Sequence, residues 1–207
     1  LMNSLFVANF LKNLPNKGFY RDKIENKKDK LIFLFLGRLN YTQKGINKLI
    51  PAFKRLTTNN KLVHLILVGP DESQGASVIK TEINDLGLNK FVTMTGELDD
   101  REKLSALVDA DVFVLPSPSE GMSIALLEAL YMNLPIITTN GVGLNQVISD
   151  KNAGYIVRSN VDELEVALTN ICNHKIRENM VGNGRKIILE NHIWENIVDN
   201  LIQELSN

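Results

Sequence analysis

The sequence predicts an α/β fold built on a parallel sheet. Short apolar runs of strand length recur from Leu31 onward, and stretches with helical periodicity separate them. The runs are apolar almost throughout, as expected for parallel strands that helices cover on both faces. With 207 residues, of which 44% are hydrophobic, the chain is long enough to bury one substantial core.

Six runs are predicted as strands. They comprise residues 31–36, 62–68, 91–95, 111–115, 135–138 and 154–157. The segment after the first run has a helical stripe from Ile46 to Leu56, and Pro51 inside it is expected to kink or delay that helix. Three helices are predicted after the last strand, and the final one carries an apolar stripe from Trp194 to Leu205.

The charge balance and the longest apolar runs exclude several classes of protein. Lysine and arginine number 23 against 24 acidic residues, so the chain lacks the basic footprint of a nucleic-acid partner. Apolar runs stay shorter than the roughly 18 to 20 residues of a membrane span, and residues 1–20 lack the layout of a signal peptide. One cysteine, Cys172, suits a reducing compartment. We therefore expect a cytoplasmic protein.

Ligands of open parallel sheets bind beyond the carboxyl ends of the strands, so a ligand is expected at the loops that follow the strands. The first strand is followed by Gly37 and Arg38, and Lys44 and Gly45 stand at the entry to the next helix. A glycine lets a ligand approach the backbone, and the two cations could grip phosphate oxygens. Two solvated cations on a loop are an equally good interpretation of this spacing.

The loop after the fourth strand leads into a helix predicted over residues 122–132. Its N-terminus offers free amides and the positive end of the helix dipole to an anion. Glu120 stands at the junction, and Glu128 is the only charged residue between Gly121 and Asn133. A lone carboxylate in apolar surroundings needs hydrogen-bond donors. The hydroxyls of a ligand and a neighbouring basic side chain both remain open as those donors.

Other features are weaker signals for chemistry. Gly141 and Gly143 resemble part of a dinucleotide fingerprint, but Gln146 replaces its third glycine and the segment follows the fifth predicted strand. These glycines are expected to permit a close backbone approach beside the same cleft. The three histidines lack the spacing of metal ligands, and the serines after the fourth strand lack a nucleophile elbow. No metal site and no serine hydrolase are expected.

Taken in order, the motifs resemble the donor-binding half of a retaining family 4 glycosyltransferase with the GT-B architecture. The resemblance covers residues 31 to about 160. Its motifs are Phe35-Leu36-Gly37-Arg38-Leu39, Lys44-Gly45, Leu67-Val68-Gly69-Pro70, Thr95-Gly96-Glu97-Leu98, Ala110-Asp111-Val112, Pro116, Glu120-Gly121-Met122-Ser123-Ile124, Leu127-Glu128-Ala129 and Leu134-Pro135-Ile136-Ile137. It implies a Rossmann-like sheet of about six strands with helices on both faces, the C-terminal half of such an enzyme.

The resemblance also assigns roles in binding a nucleoside diphosphate sugar. It implies that Arg38 and Lys44 hold the diphosphate, that Glu120 contacts the donor sugar and that Glu128 binds the ribose hydroxyls. These first three are the residues expected to act in catalysis. The wider donor-binding set adds residues near the base and the amides at the helix start, namely Gly37, Leu98, Lys103, Gly121, Met122, Ser123 and Ile124. No cofactor and no metal are implied, and UDP is the expected nucleotide.

Family members carry a second domain ahead of this one, which binds the acceptor, and 207 residues leave no room for it. We therefore expect residues 1–30 to be a lead-in from that missing N-terminal domain, 31–190 to be the donor domain and 191–207 to be a C-terminal helix with part of its stripe bare. The isolated chain is expected to be inactive.

The expected full-length function is transfer of a sugar, with retention and without a metal, to a glycan, lipid or small molecule in polysaccharide biosynthesis. Peripheral association of that full-length enzyme with the inner face of a membrane is compatible with this. A GT-B nucleotide-sugar epimerase or phosphorylase, and a non-catalytic nucleotide-sugar binding module, stay open as alternatives.

Overall fold

The computed structural model describes residues 30–190 together with Pro15, Asn16, Gly18 and Arg21, and the statements below refer to these residues. Six strands form one sheet. They are β1 (Leu31–Leu36), β2 (Val63–Val68), β3 (Val92–Gly96), β4 (Val112–Leu115), β5 (Ile136–Thr139) and β6 (Gly154–Val157). Their order is β3-β2-β1-β4-β5-β6, and every neighbouring pair is parallel. This is the doubly wound order, in which the direction of travel reverses between β1 and β4.

Helices connect the strands and follow the last of them. They are α1 (Ile46–Asn59), α2 (Gly75–Asp85), α3 (Asp100–Asp109), α4 (Ile124–Tyr131), α5 (Asn145–Asp150), α6 (Val161–Ile171), α7 (His174–Met180) and α8 (Asn183–Glu190). In one group α1 packs on α2 and α6, and in another α8 packs on α4 and α5. All six residues of β2 are buried, as a strand covered on both faces requires.

The predicted fold class is confirmed, with small corrections to the elements. Each strand end lies within one residue of its predicted position. The helix after β4 begins at Ile124 rather than residue 122, because Ser123 caps it by accepting a hydrogen bond from the Leu126 amide. Pro51 does not delay α1, which already begins at Ile46. Three helices follow β6 by residue 190, and the stripe predicted on the last of three helices, from Trp194 to Leu205, lies outside the described residues.

The first strand and the first helix show why these segments form a core. Alternating faces of β1 both carry large apolar side chains, and α1 buries its predicted stripe against the sheet. Phe33 of β1 and Phe53 of α1 meet edge to face, with ring centroids 5.7 Å apart and an interplanar angle of 77°. Both rings are fully buried. Their contact fixes α1 against β1, the two elements that the β1–α1 loop connects.

Asp109 at the end of α3 is a buried acid whose partners lie in the segment before β1. Its carboxylate accepts hydrogen bonds from the amides of Gly18, at 2.5 Å, and Arg21, at 2.9 Å. The Arg21 guanidinium also donates to the Asp111 carboxylate at 2.5 Å and to the carbonyl of Lys30 at 2.9 Å. Such contacts satisfy a carboxylate that burial would otherwise leave without donors, and they fasten Gly18 and Arg21 near the amino ends of β1 and β4.

Within the described part of the chain, none of the helices has the length and apolar character that crossing a bilayer requires.

The β1–α1 loop touches the β4–α4 loop at Gly45. This residue has a φ of 70°, and a Cβ placed on it would lie 2.0 Å from the carbonyl oxygen of Pro116. Only glycine fits both the conformation and the contact. The two loops at the point where the strand order reverses are therefore in direct backbone contact.

Replacing Gly45 by alanine should destabilise the chain much more than replacing Gly87. Gly87 has a φ of 64° but meets no atom within 4 Å of an added Cβ, so the two variants share the conformational cost and differ in the clash. We expect Gly87→Ala to lower the free energy of unfolding by about 1–2 kcal/mol and Gly45→Ala by about 1–3 kcal/mol more. Urea denaturation of both variants measures the difference, and equal losses would contradict the contact.

Candidate functional site

A pair of opposite charges spans the crevice between the loops after β1 and β4. Lys44 lies in the turn before α1, and its Nζ is 2.5 Å from Oε2 of Glu120 in the β4–α4 loop. Both side chains are largely buried, at 12% and 20% exposure, so the pair is partly shielded from water. The Ser117 hydroxyl donates to the same carboxylate oxygen at 3.3 Å. The structure thus brings together two of the three residues predicted to act in catalysis.

The loop that carries Glu120 is held by the loop after β5. Glu120 forms an isolated bridge with Val142, its amide donates to the carbonyl of Gly141 at 3.0 Å, and the amide of Gly143 donates to its carbonyl at 2.8 Å. A Cβ on Gly141 would lie 1.9 Å from Pro118 O, and one on Gly143 would lie 2.1 Å from Gly121 O. The close backbone approach expected of these glycines is confirmed, and it fixes the backbone of Glu120.

The start of α4 directly follows the loop that carries Glu120. The side chains of Met122 and Ile124 are 51% and 61% exposed, and Gly121 is exposed as well. Ser123 has a second role that the sequence did not indicate, because its hydroxyl is occupied as the cap of α4. The predicted amide donors of this segment therefore lie at a helix N-terminus, where the dipole favours an anion.

Glu128 forms an ion pair with a basic side chain. Its carboxylate is 4% exposed, and Oε1 lies 2.9 Å from Nζ of Lys103 on α3. Of the two sources of donors that the sequence left open, the structure shows the neighbouring lysine. Burial raises the pKa of the Glu128 carboxyl, the hydrogen bond and the charge of Lys103 oppose that rise, and the charge of Asp100 adds to it.

Arg38 does not join Lys44 and Glu120. Its guanidinium, which is 58% exposed, forms an ion pair with Glu72 in the loop after β2. Glu72 was not predicted from the sequence, because the strand order that brings the loop after β2 beside Arg38 is visible only in the structure. Of the remaining predicted residues, Gly37 directly follows β1, and Leu98 is half-buried beyond β3.

No group of three or more histidine, cysteine, aspartate or glutamate side chains within residues 30–190 or the few described before them is arranged to hold a metal ion. The polar groups at the carboxyl edge are instead cations, carboxylates and helix amides. Such a set can bind a ligand that carries both anionic and hydroxyl groups.

Comparison with known proteins shows the family of the chain. The family model of the glycosyl transferases group 1 matches residues 16–187. The chain belongs to this family. Among curated relatives, the UDP-Gal:alpha-D-GlcNAc-diphosphoundecaprenol alpha-1,3-galactosyltransferase of Escherichia coli is 30% identical over 177 residues, which cover 84% of this chain and 45% of that protein. The chain spans 45% to 48% of the length of this and two further relatives.

Solved structures of the family share the fold. The C-terminal domain of the glycosyl transferase group 1 protein LpcC from Francisella tularensis superposes with a TM-score of 0.74 at 20% identity, over 87% of this chain and 96% of that one. Anabaena HepE, in complex with UDP and glucose, superposes with a TM-score of 0.76 at 18% identity, over 93% of this chain and 54% of that one. These neighbours confirm the predicted Rossmann-like half of the GT-B architecture.

Glu128 should make the stability of the chain depend on pH. Its pKa is raised above the unfolded value of 4.5, so the folded state holds this proton more tightly than the unfolded chain. The resulting stability is present below pH 4.5 and is lost as the pH rises through the folded pKa. We expect the free energy of unfolding of the wild type to fall relative to Glu128→Gln over that interval, with a constant difference above it.

Urea denaturation of both proteins at steps from about pH 4 to about pH 8 measures this fall. Lys103→Met, which removes the opposing cation, should enlarge it. Parallel stability curves for the wild type and Glu128→Gln would show that the Glu128 carboxyl titrates alike in both states.

Proposed function

We propose that the chain is the donor-binding half of a retaining family 4 glycosyltransferase and that it binds a nucleoside diphosphate sugar in the crevice between β1 and β4. The observation that carries this proposal is the Lys44 and Glu120 pair, which spans the crevice beside the N-terminus of α4. Ligands of doubly wound sheets bind where the strand order reverses, and this pair lies there.

The diphosphate is the leaving group of the proposed reaction. As the bond between the anomeric carbon and the diphosphate oxygen breaks, the electron pair of that bond stays on the diphosphate. A new bond forms from the acceptor hydroxyl oxygen to the same carbon, and the proton of that hydroxyl passes to an oxygen of the departing diphosphate. Lys44 and the first amides of α4 are positive groups at the crevice, Arg38 would join them once a diphosphate is bound, and positive groups stabilise the charge that develops. Because these groups supply positive charge, the proposed mechanism uses no metal.

The two acids have different proposed partners. Glu120 lies against Lys44 at the mouth of the crevice and would contact hydroxyls of the donor sugar. Glu128 is buried with Lys103 further along the helix and would accept hydrogen bonds from the ribose. Leu98 and Lys103, beyond β3 and on α3, are proposed to lie near the base. UDP is the proposed nucleotide, which agrees with the UDP-Gal in the name of the E. coli relative and the UDP bound to Anabaena HepE.

The acceptor site is proposed to lie on a second, N-terminal domain. This proposal is supported by the relatives, which are about twice as long as the chain, and by the near-complete match to an isolated C-terminal domain. The exposed side chains of Met122 and Ile124 lie at the edge that such a domain would face. A glycan or lipid acceptor, and association of the whole enzyme with a membrane surface, belong to the same proposal.

Calorimetric titration with UDP and with uridine tests the donor site and separates its parts. Lys44→Ala and Arg38→Ala should each weaken UDP binding by roughly tenfold or more and leave uridine binding unchanged, because each removes a charged hydrogen bond to phosphate. Glu128→Gln should weaken both ligands alike, since both carry the ribose. Lys80→Ala, on the exposed side of α2, is the control for loss of one positive charge. A wild-type chain that binds no nucleoside diphosphate at millimolar concentration would refute the proposal.

The isolated chain should bind the donor without transferring its sugar. Acceptor groups and exclusion of water both depend on the other domain in the proposed enzyme. Incubation of the 207-residue chain with UDP-sugars and candidate acceptors should give no transfer product, whereas the full-length protein should transfer with retention, and added EDTA should leave its rate unchanged. Efficient transfer by the isolated chain, or inversion by the full-length protein, would contradict these expectations.

A further inference from the structure

Arg38 is held on the side of β1 that faces away from the crevice. Its guanidinium pairs with Glu72, which follows β2, and β2 and β4 lie on opposite sides of β1. Lys44, in contrast, reaches across to the β4–α4 loop. Within the described residues, Arg38 forms no hydrogen bond or ion pair with that loop. The two cations assigned to the diphosphate, Arg38 and Lys44, therefore reach toward opposite sides of β1.

The backbone of the loop that carries Glu72 is hydrogen-bonded to the backbone on either side of Arg38. Beyond the ends of the two strands, the amide of Gly37 donates to the carbonyl of Val68 at 3.0 Å, and the amide of Leu39 donates to the carbonyl of Pro70 at 2.8 Å. Leu39 and Asp71 then form an isolated parallel bridge. These bonds extend the β1 and β2 ladder into the loops, so the carboxylate is placed beside Arg38 by backbone pairing.

The carboxylate is the less exposed partner of the pair. The side chain of Glu72 is 25% exposed against 58% for Arg38, and its Oε2 is buried with no hydrogen-bond partner among the described residues. The other oxygen, Oε1, forms the ion pair with the guanidinium of Arg38. An arginine that is mostly in solvent can turn to a new anion with little rearrangement, because exposed ion pairs are weak.

We propose that Glu72 is an internal counter-ion that holds Arg38 away from the crevice, and that a bound diphosphate replaces Glu72 as the partner of Arg38. This inference rests on the donor site proposed above and adds Glu72 to it as a positioning residue. When only a fraction of a protein is in the binding-competent state, its apparent affinity for the ligand is reduced by that fraction. Glu72 therefore lowers the affinity for nucleoside diphosphates and does so through Arg38.

A double-mutant cycle on Arg38 and Glu72 tests this inference. UDP and uridine are titrated into the wild-type chain and into Glu72→Gln, Arg38→Ala and the double variant. We expect Glu72→Gln to bind UDP about two- to fivefold more tightly than the wild type, a change that fits one exposed ion pair. Uridine affinity should not change. In the Arg38→Ala background, Glu72→Gln should have no effect on UDP affinity.

Glu165→Gln is the matched control. Glu165 pairs with Arg55, at 3.0 Å, where α6 packs on α1, so the control removes the same charge from an arginine pair outside the proposed site. It should leave UDP affinity unchanged. Glu72→Asp, whose carboxylate is one methylene shorter, provides a second variant if Glu72→Gln does not fold, and it should also bind UDP more tightly than the wild type.

Two results would overturn the inference. Unchanged or weaker UDP binding by Glu72→Gln and Glu72→Asp would show that Glu72 does not compete with the diphosphate. A gain that persists without Arg38 would assign the effect to simple repulsion between Glu72 and the phosphates. Failure of the donor site itself gives a different result, since the wild-type chain would then bind no UDP at all.

Discussion

The contact between Gly45 and Pro116 is the constraint on which the site depends. The sheet order places β1 beside β4, but that alone would leave their loops a strand spacing apart. The absence of a side chain at Gly45 lets the backbone of one loop press against the carbonyl of the other. Lys44 precedes that glycine directly and therefore reaches Glu120. The electrostatics of the crevice thus follows from a steric property of one residue.

The charged side chains in and beside the crevice occur in pairs. Arg38 lies with Glu72, Lys44 with Glu120 and Lys103 with Glu128.

Pairing keeps partly buried charges from standing alone, which is costly in a medium less polar than water. It also means that an anionic ligand must exchange partners rather than fill an empty positive site. The three pairs differ in exposure, from the nearly buried Glu128 to the open Arg38, so they should differ in how readily they exchange.

Much of the framework was predictable because it depends on local pattern. Apolar runs of strand length between helical stripes follow from parallel strands buried on both faces, and the stripe from Ile46 to Leu56 follows from one helix face. The edges of elements were less predictable, since the helix after β4 was expected from residue 122 and Ser123 instead caps its start. The hydrogen bond of Ser123 to the Leu126 amide, a contact within one helical turn, sets that start.

The site was predictable in its location and only partly in its contacts. The loops after β1 and β4 follow from topology, so Lys44 and Glu120 could be expected near each other. The partner of Arg38 lies 34 residues further along the chain, in the loop after β2, and sequence spacing does not reveal that β2 lies beside β1. The partner of Glu128 lies 25 residues earlier, on a different helix. Pairs of this kind are set by how elements pack, so a single sequence leaves several partners open.

Glu128 is the residue that stability alone explains least well. Burial raises the pKa of its carboxyl above the ordinary value, and Lys103, at 26% exposure, would remain partly solvated without it. A neutral side chain of the same shape would fill the position without the cost of burying a charge. An acid that costs stability at the carboxyl edge of a parallel sheet fits a role in binding, because functional sites are where local rules of stability are broken. In the proposed donor site, the ribose hydroxyls would add hydrogen-bond donors to the one that Lys103 provides.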